Sequence, residues 1–600
     1  MLFLFFYTLP ANRYTLIIMA KKIKIKTKKQ KHSDADVLFD TALQYYQSGN
    51  LQQAEMICRQ TVKGEPGRAD AWYMLGLISG RMGRYDESVC YIDKAILINP
   101  DEHFYYNDIG VSLKFKGSLN EAKERLEKAI ELKPDYAEAY DNLGAVLQDM
   151  GLFDEAVTNH RKSLLLNPYC SVAYNNLGNT LREQGFYDEA VENFKKALSL
   201  KPDYAEAYSN MGLALTEKGA LDEAVENCRK ALELRPGFAG AFNNLGTAFS
   251  DKGIIAEAVN NYKKSLTVDP DFSAAHKNLG MTYLLLKDFE RGWREYEWRL
   301  NIFKVPPLAK PKWDGSPLNN KTILVYHEQG LGDTLQFVRF LPELHDKSGA
   351  KKVMFIPQKG LEQLFRESDL KAEILAPDAS AETLEYDTNI HLMSLPLIFR
   401  TNFENIPFKG KRYLKANPEK VEWYRKKFFS TTSFSPTPYT LSPAPLKLGI
   451  FWQGSPEFRR SKDKAIPLPY FYSFCRMPGV KVYSLQKGYG IEQLNDLPEG
   501  IEIVNLGETF NDFSDTAAAI ENLDLIITID TAVAHLSGAL GKKTWILHPP
   551  FAEWRWHLDM DYSPWYEDVR LFRHKELGKK DWEEMMERVV GELQGVGYRE

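Results

Sequence analysis

The sequence predicts a stack of helical repeats followed by two parallel α/β sheets. Three observations lead to this fold class. Glycine recurs every 34 residues from Gly76 to Gly280, and proline recurs at the same interval from Pro66 to Pro270. From Lys321 onward, short apolar runs alternate with helical segments instead. The 600 residues are too many for one hydrophobic core, so several domains are expected.

The composition is that of an ordinary globular protein, with 44% hydrophobic and 26% charged residues. A net charge of −5 gives no electrostatic reason to expect a nucleic acid partner. The five cysteines are scattered and form no Cys-x-x-Cys pair. This pattern argues against a disulfide scaffold or a zinc site and favours a reducing compartment, so a cytoplasmic location is predicted.

Residues 1–34 are predicted to form a basic, disordered N-terminus. The stretch from Met1 to Met19 is apolar, but Pro10 interrupts it, and it is too short to span a bilayer. It also lacks the basic start and cleavage site of a secretory signal. Seven lysines follow between Lys21 and Lys31, so Met19 is a candidate translation start. The lysines favour solubility, and contact with an anionic membrane surface is the weaker alternative.

The 34-residue repeat matches the tetratricopeptide pattern, a helix-turn-helix unit of that length. Aromatic residues tend to stand four positions before each repeat glycine, and Ser or Ala stands twelve positions after most of them. Small residues let two helices touch, and proline ends each second helix. About eight repeats are predicted over residues 35–300. We expect them to stack into a right-handed superhelix with a concave groove.

Asparagine recurs two residues before the glycine in five repeats, although it is a poor residue for a helix interior. A side-chain amide can donate to and accept from a peptide backbone, so a column of amides could hold an extended polypeptide. In this respect the repeats resemble those of the O-GlcNAc transferases. The alternative is that the amides only satisfy groups between repeats. Met74 and Asp108 interrupt the column, so a groove is expected in repeats four to eight. The residues of this predicted peptide groove are Asn142, Asn176, Asn210, Asn244 and Asn278.

The second half predicts two sheets separated by a linker at 430–445 that is rich in Ser, Thr and Pro. The first domain is placed at 301–429 and the second at 446–600. The predicted strands are Thr322–Tyr326, Lys352–Ile356, Ala372–Leu375, Thr388–Leu392, Leu446–Trp452, Lys481–Leu485, Ile501–Val504, Leu525–Ile529, Lys543–Leu547 and Val569–Phe572. Helices are predicted at Asp333–Leu344, Leu361–Ser368, Tyr470–Cys475, Phe513–Glu521, Ala532–Leu540 and Trp582–Leu593. Two such domains in tandem place a ligand cleft at the carboxyl ends of their strands.

Three predicted strands run into turns that suit a ligand. Gly330-Leu-Gly332-Asp333 follows one strand, and Trp452-x-Gly454-Ser455 follows another. The third turn, Asp530-Thr531-Ala532-Val533-Ala534-His535, opens a helix whose backbone N–H groups and dipole attract a phosphate. Taken singly, each turn also fits an ordinary strand-turn-helix connection. The basic segment 459–464 likewise fits a solvated loop.

Taken together, these motifs resemble glycosyltransferase family 9, the ADP-heptose lipopolysaccharide heptosyltransferase group, and in particular its tetratricopeptide-fused members. The resemblance rests on Gly330–Asp333, Trp452-x-Gly454, the segment from Ile529 to Lys542, and Trp554-Arg-Trp. It implies the GT-B fold, a nucleotide-sugar donor, inversion at the anomeric carbon and no required metal. The first sheet domain would face the acceptor, and the second would bind the nucleotide-sugar.

The resemblance also implies roles for individual residues. Asp333 matches the catalytic base, and Gly330, Gly332 and Gly454 form the turns. The basic segment leaves open which cation contacts the diphosphate. Asp559-Met-Asp561 has the spacing of a metal motif but follows no predicted strand, so it is interpreted as accidental. The implied donor-binding residues are Ser455, Arg460, Lys464, Gln486, Asp530, Thr531, Ala532 and His535.

Two functions of different classes follow. The first is a glycosyltransferase whose repeats recruit a protein or glycan acceptor, with the nucleotide-sugar as co-substrate and no other cofactor. The second is an interaction scaffold in which the repeats bind protein partners and the α/β half is catalytically inactive. Asp333, Asp530 and His535 favour the first function.

Overall fold

The computed structural model describes residues 34–302, 309–430, 445–455 and 461–596. Almost all of the predicted basic terminus and most of the predicted linker therefore lie outside the described residues, as do Arg459 and Arg460. The chain divides into two compact units. The first comprises the described residues up to Lys218 together with Glu226–Pro236, and the second comprises Gly219–Val225 and the described residues from Gly237 onward.

Eight helical pairs form the N-terminal part, which confirms the predicted tetratricopeptide repeats and their helical superhelix. The sixteen helices, α1 to α16, are Asp34–Gln47, Leu51–Gly64, Ala69–Arg81, Tyr85–Ile98, His103–Lys116, Leu119–Leu132, Ala137–Asp149, Phe153–Leu166, Ser171–Glu183, Tyr187–Leu200, Ala205–Lys218, Leu221–Leu234, Ala239–Asp251, Ile255–Val268, Ser273–Leu285 and Phe289–Tyr296.

The repeat glycine lies where a side chain of the second helix packs directly against the backbone of the first helix. A Cβ atom at Gly110 would lie 2.6 Å from Leu126 Cγ, and one at Gly178 would lie 2.7 Å from Phe194 Cε1. Such distances are too short for carbon atoms, so glycine admits a large side chain from the partner helix. A second glycine ends the first helix, as at Gly117, whose φ of 92° is left-handed. These two demands explain why glycine returns at the same positions of successive repeats.

The first sheet has four parallel strands, β1 to β4, in the order β3-β2-β1-β4. Thr322 pairs with Lys352, and Ile323 pairs with Thr388. The strands are Thr322–Tyr326, Lys352–Ile356, Glu373–Ile374 and Thr388–His391. The α-helices of this region, α17 to α22, are Arg299–Ile302, Leu331–Phe337, Phe340–Ser348, Glu362–Arg366, Leu395–Ile398 and Pro418–Tyr424.

The second sheet has six parallel strands, β5 to β10, in the order β10-β9-β8-β5-β6-β7. One of its two central strands, β8, is buried at every residue, as expected for a parallel sheet covered on both faces. The strands are Leu446–Phe451, Val480–Ser484, Ile503–Asn505, Leu525–Ile529, Thr544–Leu547 and Val569–Phe572. The α-helices, α23 to α27, are Ser461–Lys464, Tyr472–Cys475, Phe513–Glu521, Ala532–Ala539 and Trp582–Val596. The predicted pair of parallel sheets is thereby confirmed.

Helix α22 was not predicted, although its start carries a clear signal. Asn417 caps it by accepting hydrogen bonds from the backbone N–H groups of Glu419 and Lys420 at 2.9 and 3.2 Å. Pro418 occupies the first helical position, where its missing N–H costs nothing. In the described part of the chain, no helix combines the length and the apolar character needed to cross a bilayer.

Within the second unit, the last repeat packs directly on the first sheet. The Trp293 indole N–H donates to the Thr401 carbonyl at 2.8 Å. Arg299 is fully buried and forms a two-point ion pair with Glu328, at 2.7 and 3.0 Å. A buried, bidentate arginine–carboxylate pair fixes geometry on both sides. The repeat and the sheet are therefore joined as one packed structure.

Candidate functional site

The second unit contains a cavity of about 930 Å³ at the carboxyl ends of both parallel sheets. Its lining comes from the loops after strands β1, β2, β5, β6, β7, β8 and β9, and also from the last repeat. In open α/β sheets, ligands bind at this end of the strands. The polar side chains on its walls include Lys277, Tyr296, Gln329, Asp333, Lys359, Glu362, Ser455, Lys464, Lys487, Asn511, Asp512, Thr516, Asp530, Thr531, His535, Glu553 and Arg555.

Asp333 lies on the wall formed by the first sheet. One of its carboxylate oxygens accepts a hydrogen bond from the Gly330 backbone N–H at 3.0 Å, which completes the turn that starts helix α18. The other oxygen forms an ion pair with Arg555 from the loop after β9. Arg555 also contacts Glu553 at 2.7 Å and Gln336 at 3.0 Å. Asp333 is therefore held in place from both sheets, with part of its surface facing the cavity.

The electrostatics of Arg555 follow from its surroundings. Burial acts to lower the pKa of this guanidinium, but the charges of Asp333 and Glu553 outweigh burial and raise it well above its usual value. The side chain also lies over the Trp554 ring, with 4.3 Å from Cζ to the ring centroid. Arg555 thus carries a permanent positive charge at the cavity wall. Sequence reasoning identified the Trp-Arg-Trp motif but gave this arginine no role.

Asp530 and Lys464 form an ion pair on the wall of the second sheet. Lys464 Nζ lies 2.5 Å from Asp530 Oδ2, and the Trp556 indole N–H donates to Oδ1 at 3.0 Å. Burial alone would raise the pKa of Asp530, but the charge of Lys464 keeps it well below its usual value. The sequence predicted both residues as donor-binding, and the structure shows that each already has a partner on the protein.

His535 lies under the first turn of helix α26. Its Nδ1 atom is 3.0 Å from the Tyr566 hydroxyl, and its ring stacks on Trp556 with centroids 5.3 Å apart. Burial lowers the pKa of His535 to about 4, with a further lowering from Arg555 and against an opposing effect of Asp530. The ring is therefore neutral at pH 7 and orders the turn without carrying charge.

Gly332 allows the two walls to meet. A Cβ atom at this position would lie 2.9 Å from His535 Cδ2 and 3.5 Å from Ala532 Cα. The first turn of α18 therefore touches the first turn of α26, and only glycine leaves room for this contact. Gly330 and Gly332 line the cavity, as do Gly454, Ser455, Thr531 and Ala532.

Gln486 differs from the other predicted donor residues because its amide is fully used by the backbone. Its Oε1 accepts from the N–H groups of Trp452 and Gln453, at 3.2 and 3.1 Å. Its Nε2 donates to the carbonyls of Gln453 and Tyr489, each at 2.6 Å. The side chain is completely buried, so it braces the turn after β5 instead of facing the cavity. Its neighbours Leu485 and Lys487 line the cavity.

Within the first unit, each asparagine of the predicted peptide groove contacts the preceding repeat. Asn142 donates to Asn107 at 2.9 Å, and Asn176 donates to Asp141 at 3.0 Å. Asn210 repeats the contact with Asn175, again at 3.0 Å. In the second unit the same contact joins Asn278 to Asn243 at 3.0 Å, and Asn244 accepts from Asn243 at 3.3 Å.

Four of these contacts join neighbouring repeats, and each uses a side-chain N–H of a column asparagine. They support the interpretation that the amides hold the repeats together. In the four contacts that span 35 positions, every donor is an asparagine of the column. Every acceptor among those four donations is the polar residue 35 positions earlier, and it is the Asp or Asn next to the column in the preceding repeat. A hydrogen bond that recurs in this way fixes the register between neighbouring repeats.

The Asp-x-Asp segment at 559–561 lies away from the cavity lining. Asp559 forms a surface ion pair with Lys287 of the last repeat at 2.7 Å. No group of three or more His, Cys, Asp or Glu side chains with metal-binding geometry occurs among the described residues.

Comparison with known families identifies the repeats. Models described as TPR repeat or tetratricopeptide repeat match residues 69–102, 110–151, 137–166, 178–219, 205–238 and 239–272. The helical pairs between residues 69 and 285 are therefore tetratricopeptide repeats, and repeats of this class indicate protein partners.

One curated relative is similar over half of the chain. It is Protein FlbA of Caulobacter vibrioides, 26% identical over 335 residues, which cover 50% of this chain and 52% of that protein. The chain thus spans about half the length of the curated relative that it matches.

Several solved structures are similar to part of the chain, including the following three. The APC/C hetero-tetramer Cut9–Hcn1 is 16% identical, with a TM-score of 0.37 and coverage of 46% of this chain and 54% of that chain. YrrB, a TPR protein with an unusual peptide-binding site, is 27% identical, with a TM-score of 0.25 and coverage of 31% and 95%. A repeat protein from Parabacteroides merdae is 17% identical, with a TM-score of 0.37 and coverage of 41% and 98%.

Proposed function

We propose that this protein is a glycosyltransferase that moves a sugar from a nucleotide-sugar to an acceptor hydroxyl, with inversion at the anomeric carbon. The repeats recruit the acceptor. One observation carries the proposal: a single cavity has the carboxylate of Asp333 on one wall and the N-terminus of helix α26 on the other. An inverting transfer needs a base and an anion-binding group on opposite sides of the reacting carbon.

The donor binds at the second sheet in this proposal. The first backbone N–H groups of α26 have no acceptor within the helix, and the helix dipole adds positive potential there. Ala532 and Val533 provide these amides, and both residues line the cavity. Lys464, at the end of helix α23, reaches this turn and pairs with Asp530. Together these groups suit the diphosphate of a nucleotide-sugar.

Asp333 acts as the base. As the acceptor oxygen attacks the anomeric carbon, its proton passes to the Asp333 carboxylate, and the bond from that carbon to the diphosphate oxygen breaks. The departing oxygen keeps the electron pair, so negative charge grows at the N-terminus of α26. Arg555 orients Asp333 through their ion pair and is a positioning residue.

A second candidate is a scaffold whose cavity binds a nucleotide without turnover. The contacts of Asp333 favour it, because one oxygen of the candidate base is already paired with Arg555 and the other accepts a backbone hydrogen bond from Gly330. The tetratricopeptide matches are equally compatible with an interaction protein.

A donor panel separates the two candidates. The purified full chain is incubated with UDP-, GDP-, ADP-, dTDP- and CMP-linked sugars, and nucleotide release is measured with and without cell-extract protein as acceptor. We expect release from one donor, a loss of at least about 100-fold in Asp333→Asn, and unchanged nucleotide binding in that variant. Asp559→Asn is the matched control outside the cavity. Nucleotide binding without release from any donor would support the scaffold.

A further inference from the structure

The last tetratricopeptide repeat contributes directly to the cavity. Lys277 and Met281 from helix α15, and Tyr296 from helix α16, are among its lining residues. The Gln329 side chain donates to the Tyr296 hydroxyl at 3.1 Å, and Gln329 immediately precedes the turn that carries Asp333. The repeat is therefore joined to the wall of the candidate base and forms part of the reaction chamber.

Lys277 is half-buried, and it differs from Lys464 and Arg555, the other two half-buried cations of the cavity wall. Lys464 pairs with Asp530, and Arg555 pairs with Asp333 and Glu553. Among the described residues, no carboxylate forms an ion pair with Lys277, and no carbonyl accepts a hydrogen bond from it. Burial lowers the pKa of Lys277, and no acidic group acts against that effect. A charged ammonium in such surroundings gains free energy when an anion joins it.

The position of Lys277 assigns that anion to the acceptor. The α26 N-terminus, where the diphosphate is proposed to bind, belongs to the second sheet. The last repeat contacts the loops of both sheets, and the Tyr296 hydroxyl connects it to Gln329 in the loop that carries Asp333. The acceptor hydroxyl must reach Asp333, so a group a few bonds from that hydroxyl can reach the repeat. Tetratricopeptide repeats bind proteins, which makes a polypeptide the acceptor that this wall suits.

We propose that Lys277 binds an acidic side chain of a polypeptide acceptor, so that the last repeat selects hydroxyl residues that have a neighbouring Asp or Glu. This role rests on the proposed function for the identity of the reaction. The ion pair itself needs only the cavity and the repeat. A charge-assisted hydrogen bond of this type gives a preference of about tenfold over a neutral amide.

Two peptide pools test the selection on the full chain. Both have a central Ser or Thr and randomised flanks, with Glu at half of the flanking positions in one pool and Gln at the same positions in the other. We expect the wild type to bind the Glu pool about tenfold more tightly. Lys277→Met should abolish this difference, and Lys277→Arg should keep it. Equal binding of the two pools by the wild type would overturn the proposal.

A parallel experiment with nucleoside diphosphates tests whether the anion at Lys277 comes from the acceptor or from the donor diphosphate. Lys277→Met is expected to bind UDP, GDP and ADP like the wild type, and a tenfold loss would instead place Lys277 in the donor site and overturn the proposal. The melting temperature of each variant verifies folding. If no nucleoside diphosphate binds the wild type but the Glu preference depends on Lys277, the acidic subsite stands and the glycosyltransferase assignment fails.

Discussion

Asp333 and Arg555 are 222 positions apart in the chain and form an ion pair across the cavity wall. Asp333 follows the first strand of one sheet, and Arg555 follows the fifth strand of the other. Both side chains are mostly buried, at 17% and 11% exposure. This pair fixes the candidate base relative to the helix that is proposed to bind the donor phosphates.

Removing the arginine should destabilise the protein more than removing both charges. Arg555→Met leaves the Asp333 carboxylate without its partner, which typically costs about 3 kcal/mol for a buried pair. The double variant Asp333→Asn/Arg555→Met should recover part of this loss because no unpaired charge remains. Urea unfolding of the wild type, both single variants and the double variant measures the coupling. Additive effects of the two single substitutions would contradict a strong interaction.

Lys464 and Asp530 also form a mostly buried ion pair, and its contribution to stability should depend on pH. The pKa of Asp530 is below its unfolded value, so its contribution to stability is present above about pH 4 and is lost as the pH falls below that. In Lys464→Met the carboxylate loses its partner and its pKa should rise. The variant should therefore lose about 3 kcal/mol at pH 7 and much less at pH 4. Chemical unfolding at the two pH values compares them, and an equal loss at both would contradict the explanation.

Gly332 should not tolerate a side chain. In Gly332→Ala the new methyl group would lie 2.9 Å from the His535 ring, so helices α18 and α26 must separate. We expect a stability loss of about 1–3 kcal/mol and weaker nucleotide binding. Gly591→Ala is the matched control, because Gly591 lies within helix α27 and has open space around it. Thermal unfolding compares the variants, and the control should be neutral or slightly stabilising.

The first unit should lose stability between about pH 4 and pH 6. Burial raises the pKa of Asp108 to about 6, despite hydrogen bonds from Tyr73 and Asn107 that lower it. The folded state therefore binds more protons than the unfolded state in this range, and the free energy of unfolding falls by about 2 kcal/mol as the pH rises. Asp108→Asn should reduce this dependence, whereas the exposed control Asp86→Asn should not. Thermal unfolding followed by circular dichroism provides the comparison.

The repeats and the strands could be predicted from the sequence because they depend on local periodicity. The glycine and alanine spacing follows from contacts within one helical pair, such as Gly110 with Leu126, and recurs with each repeat. Strand β8 could be predicted with its observed bounds because a run of apolar, β-branched residues ends at Asp530. The repeat spacing and the apolar run of β8 are both local signals, because each depends on residues within one repeat or one strand.

The partners of the site residues could not be predicted in this way. Arg555 and Asp333 meet only because two loops from different sheets converge, and no spacing in the sequence encodes that contact. Gln486 is next to cavity-lining residues in the sequence, but its side chain points inward and forms hydrogen bonds with the backbone. Its direction depends on the surrounding fold. The place of Lys277 in the cavity depends on the packing of the last repeat against the first sheet. Such contacts require the three-dimensional arrangement.

The most direct test of the account is nucleoside diphosphate binding to a matched pair of substitutions at Ala532. Ala532→Asp places a negative charge at the first position of α26, which suits the helix but repels a bound diphosphate, and Ala532→Asn is its neutral isostere. Isothermal titration of the full chain with UDP, GDP and ADP should show binding of at least one by the wild type. The Asp variant should bind about tenfold or more weakly than the Asn variant. Equal affinities of the two variants, or no binding of any nucleotide by the wild type, would contradict a donor site at this helix.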